Sequence, residues 1–282
     1  MSTARTTARA VALITVSALG LTACGLTKGD AEGPAPDDSG VTKITVGASP
    51  TPHAKILEYV DKELAPDAKL DLEIKTFDDY VQPNVQLSEG TLDANYYQHL
   101  PYYEEQVEDR GYDFAHYEGI HIEPFALYSD KVKDLKDLPQ GGTIGINNDP
   151  SNQGRALQLL ADNDVITLKK GKDATNATIL DVEDNPKDLE FKETDAAQLA
   201  RSLQDLDAAV INGNYAIEAD LSTKDALAVE DGKDSPYANF LAVQASNKDN
   251  AGLEKLDELL HSPEVKKYIE ETWPNGEVLP AF

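Results

Sequence analysis

Hydrophobic positions along this chain follow two periods. In Lys43-Ile44-Thr45-Val46-Gly47 and Leu70-Asp71-Leu72-Glu73-Ile74 they recur at every second residue, the spacing of a strand. Between these runs, Pro52 opens a stretch whose apolar Ile56, Leu57, Val60 and Leu64 share one helical face. The same reading predicts strands at 92–96, 143–146, 189–191, 208–211 and 240–243, and helices at 100–107, 152–162, 253–260 and 263–272. Repeated strand-then-helix units predict an α/β fold with largely parallel strands. Residues 169–185 are polar and read as a surface insertion or weak helix.

The first forty residues follow neither period. Arg5 and Arg9 precede an apolar run over 10–21, shorter than a membrane span and of signal-peptide length. Leu21-Thr22-Ala23-Cys24-Gly25 follows and resembles a bacterial lipobox. Cys24 is the only cysteine of the chain, and it stands where a lipobox needs one. The expectation is a signal peptide over 1–23, cleavage before Cys24 and a lipid anchor on that residue. Residues 24–40 carry Gly29, Gly33, Pro34, Pro36 and Gly40 without hydrophobic period, and read as a flexible tether. The protein is thus expected at the cell membrane, lipid-anchored on its extracytoplasmic face.

Composition narrows the functional classes. The 282 residues include 25 basic and 51 acidic side chains, a formal charge of −26, which disfavours nucleic acid or anionic lipid as partners of the folded body. One cysteine rules out a disulfide within the chain. No Walker A, GxGxxG, GxSxG or HExxH sequence is present. The histidines at 53, 99, 116, 121 and 261 do not cluster in sequence, and His121 with Glu123 supplies only two ligands, too few for zinc. With 51 acids, chance carboxylate pairs are no sign of a hydrolase. No metal, no cofactor and no enzymatic activity are expected.

Three segments break local rules. In Asn147-Asn148-Asp149-Pro150-Ser151-Asn152-Gln153-Gly154-Arg155, a cap at Ser151 or Asn152 would put Gly154 and Arg155 in the first helical turn, against propensity and dipole. An anion site would explain this, with Gly154 admitting a ligand and Arg155 gripping a carboxylate; an arginine paired with an acidic neighbour is the alternative. Residues 92–103 collect Tyr96, Tyr97, His99, Tyr102 and Tyr103 where a strand hands over to a helix, as a pocket wall or as an aromatic core. The strand at 208–211 ends in Asn212, whose amide suits a zwitterion or a simple turn.

Taken together with Val46-Gly47-Ala48-Ser49-Pro50-Thr51-Pro52-His53, Phe77-Asp78-Asp79-Tyr80, Pro236-Tyr237-Ala238-Asn239 and the terminal Leu279-Pro280-Ala281-Phe282, these segments resemble the methionine-binding lipoproteins of bacterial ABC importers, the NlpA lipoprotein family. The resemblance runs in order from about residue 43 to the C-terminus. It implies a two-lobed, periplasmic-binding-protein-like α/β fold with ligand in the cleft between lobes. Lobe 1 would be 41–122 plus 237–282 and lobe 2 123–236, with crossings near 121–128 and 237–243. It further implies that Arg155 grips the ligand carboxylate, that Asn212 and Asn239 bind its polar end, and that Tyr80, Tyr96, Tyr97, His99 and Tyr102 wall the side-chain pocket. The implied partners are methionine, an ABC permease with its separate ATPase, and the membrane through Cys24. The family often has phenylalanines where this chain has Tyr96-Tyr97, which leaves another amino acid, a methionine derivative or a small dipeptide as alternative ligands.

Overall fold

The structure is a computed structural model that describes residues 33–232 and 235–282; the expected signal peptide, Cys24 and residues 24–32 of the expected tether lie outside the described residues. The chain begins with β1 (Thr42–Ala48), α1 (Lys55–Glu63), β2 (Leu70–Thr76), α2 (Gln82–Ser88), β3 (Ala94–His99), α3 (Leu100–Arg110) and β4 (Phe114–Ile122). It continues through β5 (Ala126–Tyr128), β6 (Thr143–Asn147), α4 (Pro150–Asp162), β7 (Thr167–Leu168), β8 (Val182–Asp184), β9 (Glu190–Thr194), α5 (Ala196–Ser202), β10 (Ala208–Ile211), α6 (Gly213–Glu218) and β11 (Ala228–Val229). It returns with β12 (Asn239–Gln244), α7 (Ala251–Leu260), α8 (Pro263–Thr272) and β13 (Leu279–Pro280).

Two large sheets result, one to each lobe, and β7 and β8 pair as a small antiparallel sheet of their own. The first has the order β13-β4-β12-β3-β1-β2 and the second β11-β5-β10-β6-β9. The chain passes from the first to the second through residues 123–125 and comes back through 230–238.

Both faces of the sheets are covered along their central strands, so β10 and residues 240–243 of β12 are apolar throughout rather than alternating. In β10, Ala208 and Val210 pack with Ile144, Ile146, Leu157 and Leu160, while Ala209 and Ile211 pack with Leu199, Leu203 and Tyr215. In β12, Leu241 and Val243 join Ile44, Val46, Leu57, Leu253 and Ile269, while Phe240 and Ala242 join Leu87, Leu92 and Tyr103. Successive side chains on a strand point to opposite faces, which gives each lobe two apolar layers on one sheet.

Several expectations change. The sheets are mixed rather than largely parallel: β1 pairs in parallel with β2 and β3, and β6 with β9 and β10, but β12 is antiparallel to β3 and β4, and β5 to β10 and β11. In the two large sheets, the antiparallel pairs involve the strands that adjoin the crossings. The helix α4 is capped by Asp149, whose Oδ1 accepts from the Asn152 N–H at 2.9 Å, with Pro150 in the first turn. Arg155 therefore lies in the second turn and does not oppose the helix dipole. Gly154 makes room for protein, not ligand, because a Cβ there would lie 2.4 Å from the Ala174 carbonyl oxygen. Residues 169–185 contain no α-helix, and the described end of the tether is docked: Pro34 O accepts from Asn250 Nδ2 at 3.0 Å and Asp37 caps a turn through Ser39 and Val41.

Candidate functional site

The lobes meet around a cavity of about 360 Å³ of empty space, counting its solvent-open part, lined by Tyr80, Tyr97, Gln98, His99, Tyr102, Glu123, Asn152, Arg155, Asn212, Gly213, Asn214 and Asn239. Hydrogen bonds cross between the lobes at its rim. Tyr80 Oη donates to Asn214 Oδ1 at 2.6 Å, Tyr215 Oη to Asp78 O at 3.1 Å, and the Ser151 N–H to Glu105 Oε2 at 2.9 Å.

Arg155 is the cationic end of the cavity. Its side chain is only 4% exposed, and its fork is held by both crossings. From 230–238, Glu230 accepts from Nε at 3.0 Å and from Nη2 at 2.5 Å, and the Tyr237 ring stacks 3.9 Å from the guanidinium carbon. From 123–125, the Glu123 carbonyl accepts from Nη2 at 3.1 Å and the Phe125 ring lies at 4.7 Å. The acidic partner weighed from sequence thus exists, and it occupies Nε and Nη2. Among the described residues no hydrogen bond is made by Nη1, which leaves that nitrogen for a ligand.

An amide chain lines the next wall. Asn147 Nδ2 donates to Asn212 Oδ1 at 2.8 Å, and Asn212 Nδ2 to Asn152 Oδ1 at 3.0 Å. His99 Nε2 donates to the same Asn152 oxygen at 3.1 Å while its Nδ1 accepts from the Tyr102 N–H at 3.2 Å, which defines the neutral tautomer. Asn214 Nδ2 is buried without a partner among the described residues, as is expected of a group that meets a ligand.

The aromatic wall is Tyr80, Tyr97 and Tyr102, with ring centroids 5.8–6.3 Å apart. Each hydroxyl is already used. Tyr97 Oη and Tyr102 Oη both donate to the Tyr80 carbonyl, at 2.9 and 3.1 Å, and Tyr80 Oη goes to Asn214. Tyr96 is not part of this wall. It points to the opposite face of β3, is fully buried among Ile44, Val46 and Leu241, and hydrogen-bonds His121 Nδ1. Adjacent strand residues cannot share a face, so the Tyr96-Tyr97 pair divides between core and cavity.

Of the residues predicted from sequence, Tyr80, Tyr97, His99, Tyr102, Arg155, Asn212 and Asn239 converge on the cavity and Tyr96 does not. Gln98, Glu123, Asn152, Gly213 and Asn214 line it without having been predicted. The fold also brings His53 beside His121 and Glu123, so that donor atoms of the three lie within 4.8 Å of one another. His121 Nε2 bonds Glu123 Oε1 at 2.8 Å, and His53 Nε2 lies 3.2 Å from the same oxygen and 3.0 Å from Asn239 Oδ1. The sequence showed only two of these three potential metal ligands. Burial lowers His53 to about 4 and His121 to about 3, so both imidazoles are neutral at neutral pH.

A two-lobed α/β fold with a buried arginine, an amide wall and an aromatic wall between its lobes is the architecture of a solute-binding protein. Residues 44–282 match the NlpA lipoprotein family, and the chain belongs to it. It is 39% identical over 273 residues to the methionine-binding lipoprotein MetQ of Bacillus subtilis (strain 168), covering 95% of this chain and 96% of that one. Among solved structures, it is 46% identical to a nutrient-binding protein from Burkholderia cenocepacia bound to methionine, with a TM-score of 0.81 over 85% of this chain and 100% of that one. A periplasmic substrate-binding protein of an ABC transporter from Coxiella burnetii is 42% identical, with a TM-score of 0.79 over 84% and 100%.

The site's histidines set an acid dependence. His53, His99 and His121 are depressed to about 4, 3 and 3, chiefly by burial, with Arg155 adding to the effect at His99. Below the unfolded value of ~6.5 the unfolded chain binds protons that the folded protein does not. The stability these neutral rings allow is complete above that pH and is lost as pH falls toward 4, at ~1.4 kcal/mol per pH unit for each proton. Glu123, raised by burial, acts in the opposite sense near the carboxylate range. Urea unfolding at pH 7.5, 6 and 5 should show this decline, and His99→Gln should reduce its slope by about one proton. An unchanged slope in that variant would contradict the assignment.

Proposed function

We propose that this chain is the substrate-binding lipoprotein of an ABC importer, binding methionine between its lobes and delivering it to a membrane permease served by a separate ATPase. In this reading, lobe 1 comprises 41–122 plus 237–282 and lobe 2 comprises 123–236. The carrying observation is one cavity that joins the spare Nη1 of Arg155 to three tyrosine rings whose hydroxyls are all engaged. Arg155 takes the α-carboxylate, Asn212 and Asn239 the polar backbone end, and the rings of Tyr80, Tyr97 and Tyr102 the thioether. Sulfur–aromatic contacts are worth ~0.3–1.5 kcal/mol each. The engaged hydroxyls favour the thioether over a polar derivative such as the sulfoxide. The name of the Bacillus subtilis relative and the methionine bound to the Burkholderia cenocepacia protein support the same reading. The protein acts by binding rather than catalysis, and it is held at the extracytoplasmic face by lipid on Cys24.

Calorimetric titration of L-methionine into refolded protein lacking residues 1–24 is expected to show one-to-one binding. Arg155→Lys should raise the dissociation constant about 30-fold or more, because a single ammonium cannot keep Glu230 and grip a ligand carboxylate together. Unaltered affinity in that variant would remove Arg155 from its role. Cys24→Ser should move the full-length protein from the membrane to the soluble fraction; retention at the membrane would refute the anchor.

A further inference from the structure

Residues 33–41 have the composition of a tether, yet the fold binds them to the first lobe. Asn250 caps α7, accepting from the Gly252 and Leu253 N–H groups at 3.0 and 3.3 Å, and its Nδ2 donates to the Pro34 carbonyl at 3.0 Å. Gly33 is seated against the same amide: a Cβ there would lie 2.8 Å from Asn250 Nδ2 and 3.0 Å from Asn247 Oδ1. Pro36 then bridges antiparallel to Thr42, the first residue of β1. Between them the chain reverses on Asp37, whose Oδ1 accepts from the Ser39 and Val41 N–H groups at 2.8 and 3.1 Å. Its carbonyl accepts at 2.9 Å from Gly40, which takes the left-handed conformation at φ +80°. Asn247, Asn250 and Thr42 all belong to the lobe built on the first sheet, so movement of the second lobe need not break any of these contacts.

This docking sets where the chain leaves the body. In the β1–β3 register Val46 stands beside Ala94, which puts Thr42 level with position 90, nine residues before His99 at the cavity. At ~3.3 Å per residue the docked segment sits about 30 Å from the cavity, at the outer end of the lobe. It also sets the reach of an anchor on Cys24. The nine residues 24–32 span at most about 30 Å, whereas the eighteen residues 24–41, with the segment released, span about 60 Å. A body of ~250 residues is roughly 45 Å across. The short leash is less than that breadth and the long one exceeds it, so only the docked arrangement keeps one end of the body at the bilayer.

We propose that residues 33–41 are a strap that holds the outer end of lobe 1 within about 30 Å of the lipid headgroup layer and leaves the cleft and the second lobe unencumbered. The grip is Asn250 on Pro34. Covalent reach does this rather than attraction, since a chain of formal charge −26 is repelled by anionic lipid. This rests on the reading of Cys24 as the lipid-bearing residue.

The test is energy transfer from a dye on the full-length lipidated protein to a headgroup-labelled acceptor in phosphatidylcholine vesicles. Lipidation consumes the only native thiol, so Asp249→Cys, exposed beside the strap, or Glu183→Cys, exposed on the second lobe, takes the dye alone. The Asp249→Cys dye is expected to transfer several-fold more efficiently than the Glu183→Cys dye. Asn250→Asp keeps a cap oxygen for α7 and removes the donor to Pro34, and Gly33→Val pushes the strap off both amides. Either substitution should lower the ratio of the two transfers about two-fold or more, because the reach of the leash doubles. Equal transfer from both dyes with the strap unaltered, or a ratio that neither substitution changes, would overturn the inference while the protein still floats with the vesicles. Failure to float with them would overturn the anchor and the strap together.

Discussion

A guanidinium buried to 4% exposure has to be paired on nearly every N–H, and the pairing of Arg155 determines how this molecule is put together. Two connections join the lobes, and each supplies part of the cage. Residues 123–125 give a carbonyl and an aromatic ring; residues 230–237 give a carboxylate and a second ring. The arginine itself comes from α4 of the second lobe. Rotation about either crossing therefore moves the partners that hold Arg155 at the cavity. Both crossings and the cavity wall thus share one side chain.

The second constraint is the bookkeeping of hydroxyls. A wall of tyrosines suggests a polar pocket, yet Tyr97 and Tyr102 both spend their O–H on the Tyr80 carbonyl and Tyr80 spends its own on Asn214 across the cleft. What remains toward the cavity is ring surface. The hydroxyls brace the 77–81 loop and one lobe-to-lobe contact instead of addressing solute.

The strands and the long helices were legible because period and burial agree, as in β1 and β2 and in α1, α7 and α8. Pairing direction was not, since β12 and β4 owe their antiparallel neighbours to the crossings, which no local pattern encodes. The cap of α4 was readable from Asp149-Pro150, and choosing Ser151 or Asn152 instead put Arg155 a turn too early. Arg155 does line the cavity, but the argument that singled it out does not hold: it breaks no helix rule, and Gly154 faces Ala174. Tyr96 was misplaced because strand parity was not applied within the aromatic pair. Glu123 went unpredicted because its partner His53 is 70 positions upstream, and only the fold brings the two together.

The most direct test of the account is a crystal structure of the protein grown with L-methionine. The account predicts the α-carboxylate on Arg155 Nη1 with the Glu230 pair intact, and the thioether against the rings of Tyr80, Tyr97 and Tyr102. A carboxylate bound away from Arg155, or one that displaces Glu230 from the fork, would contradict it.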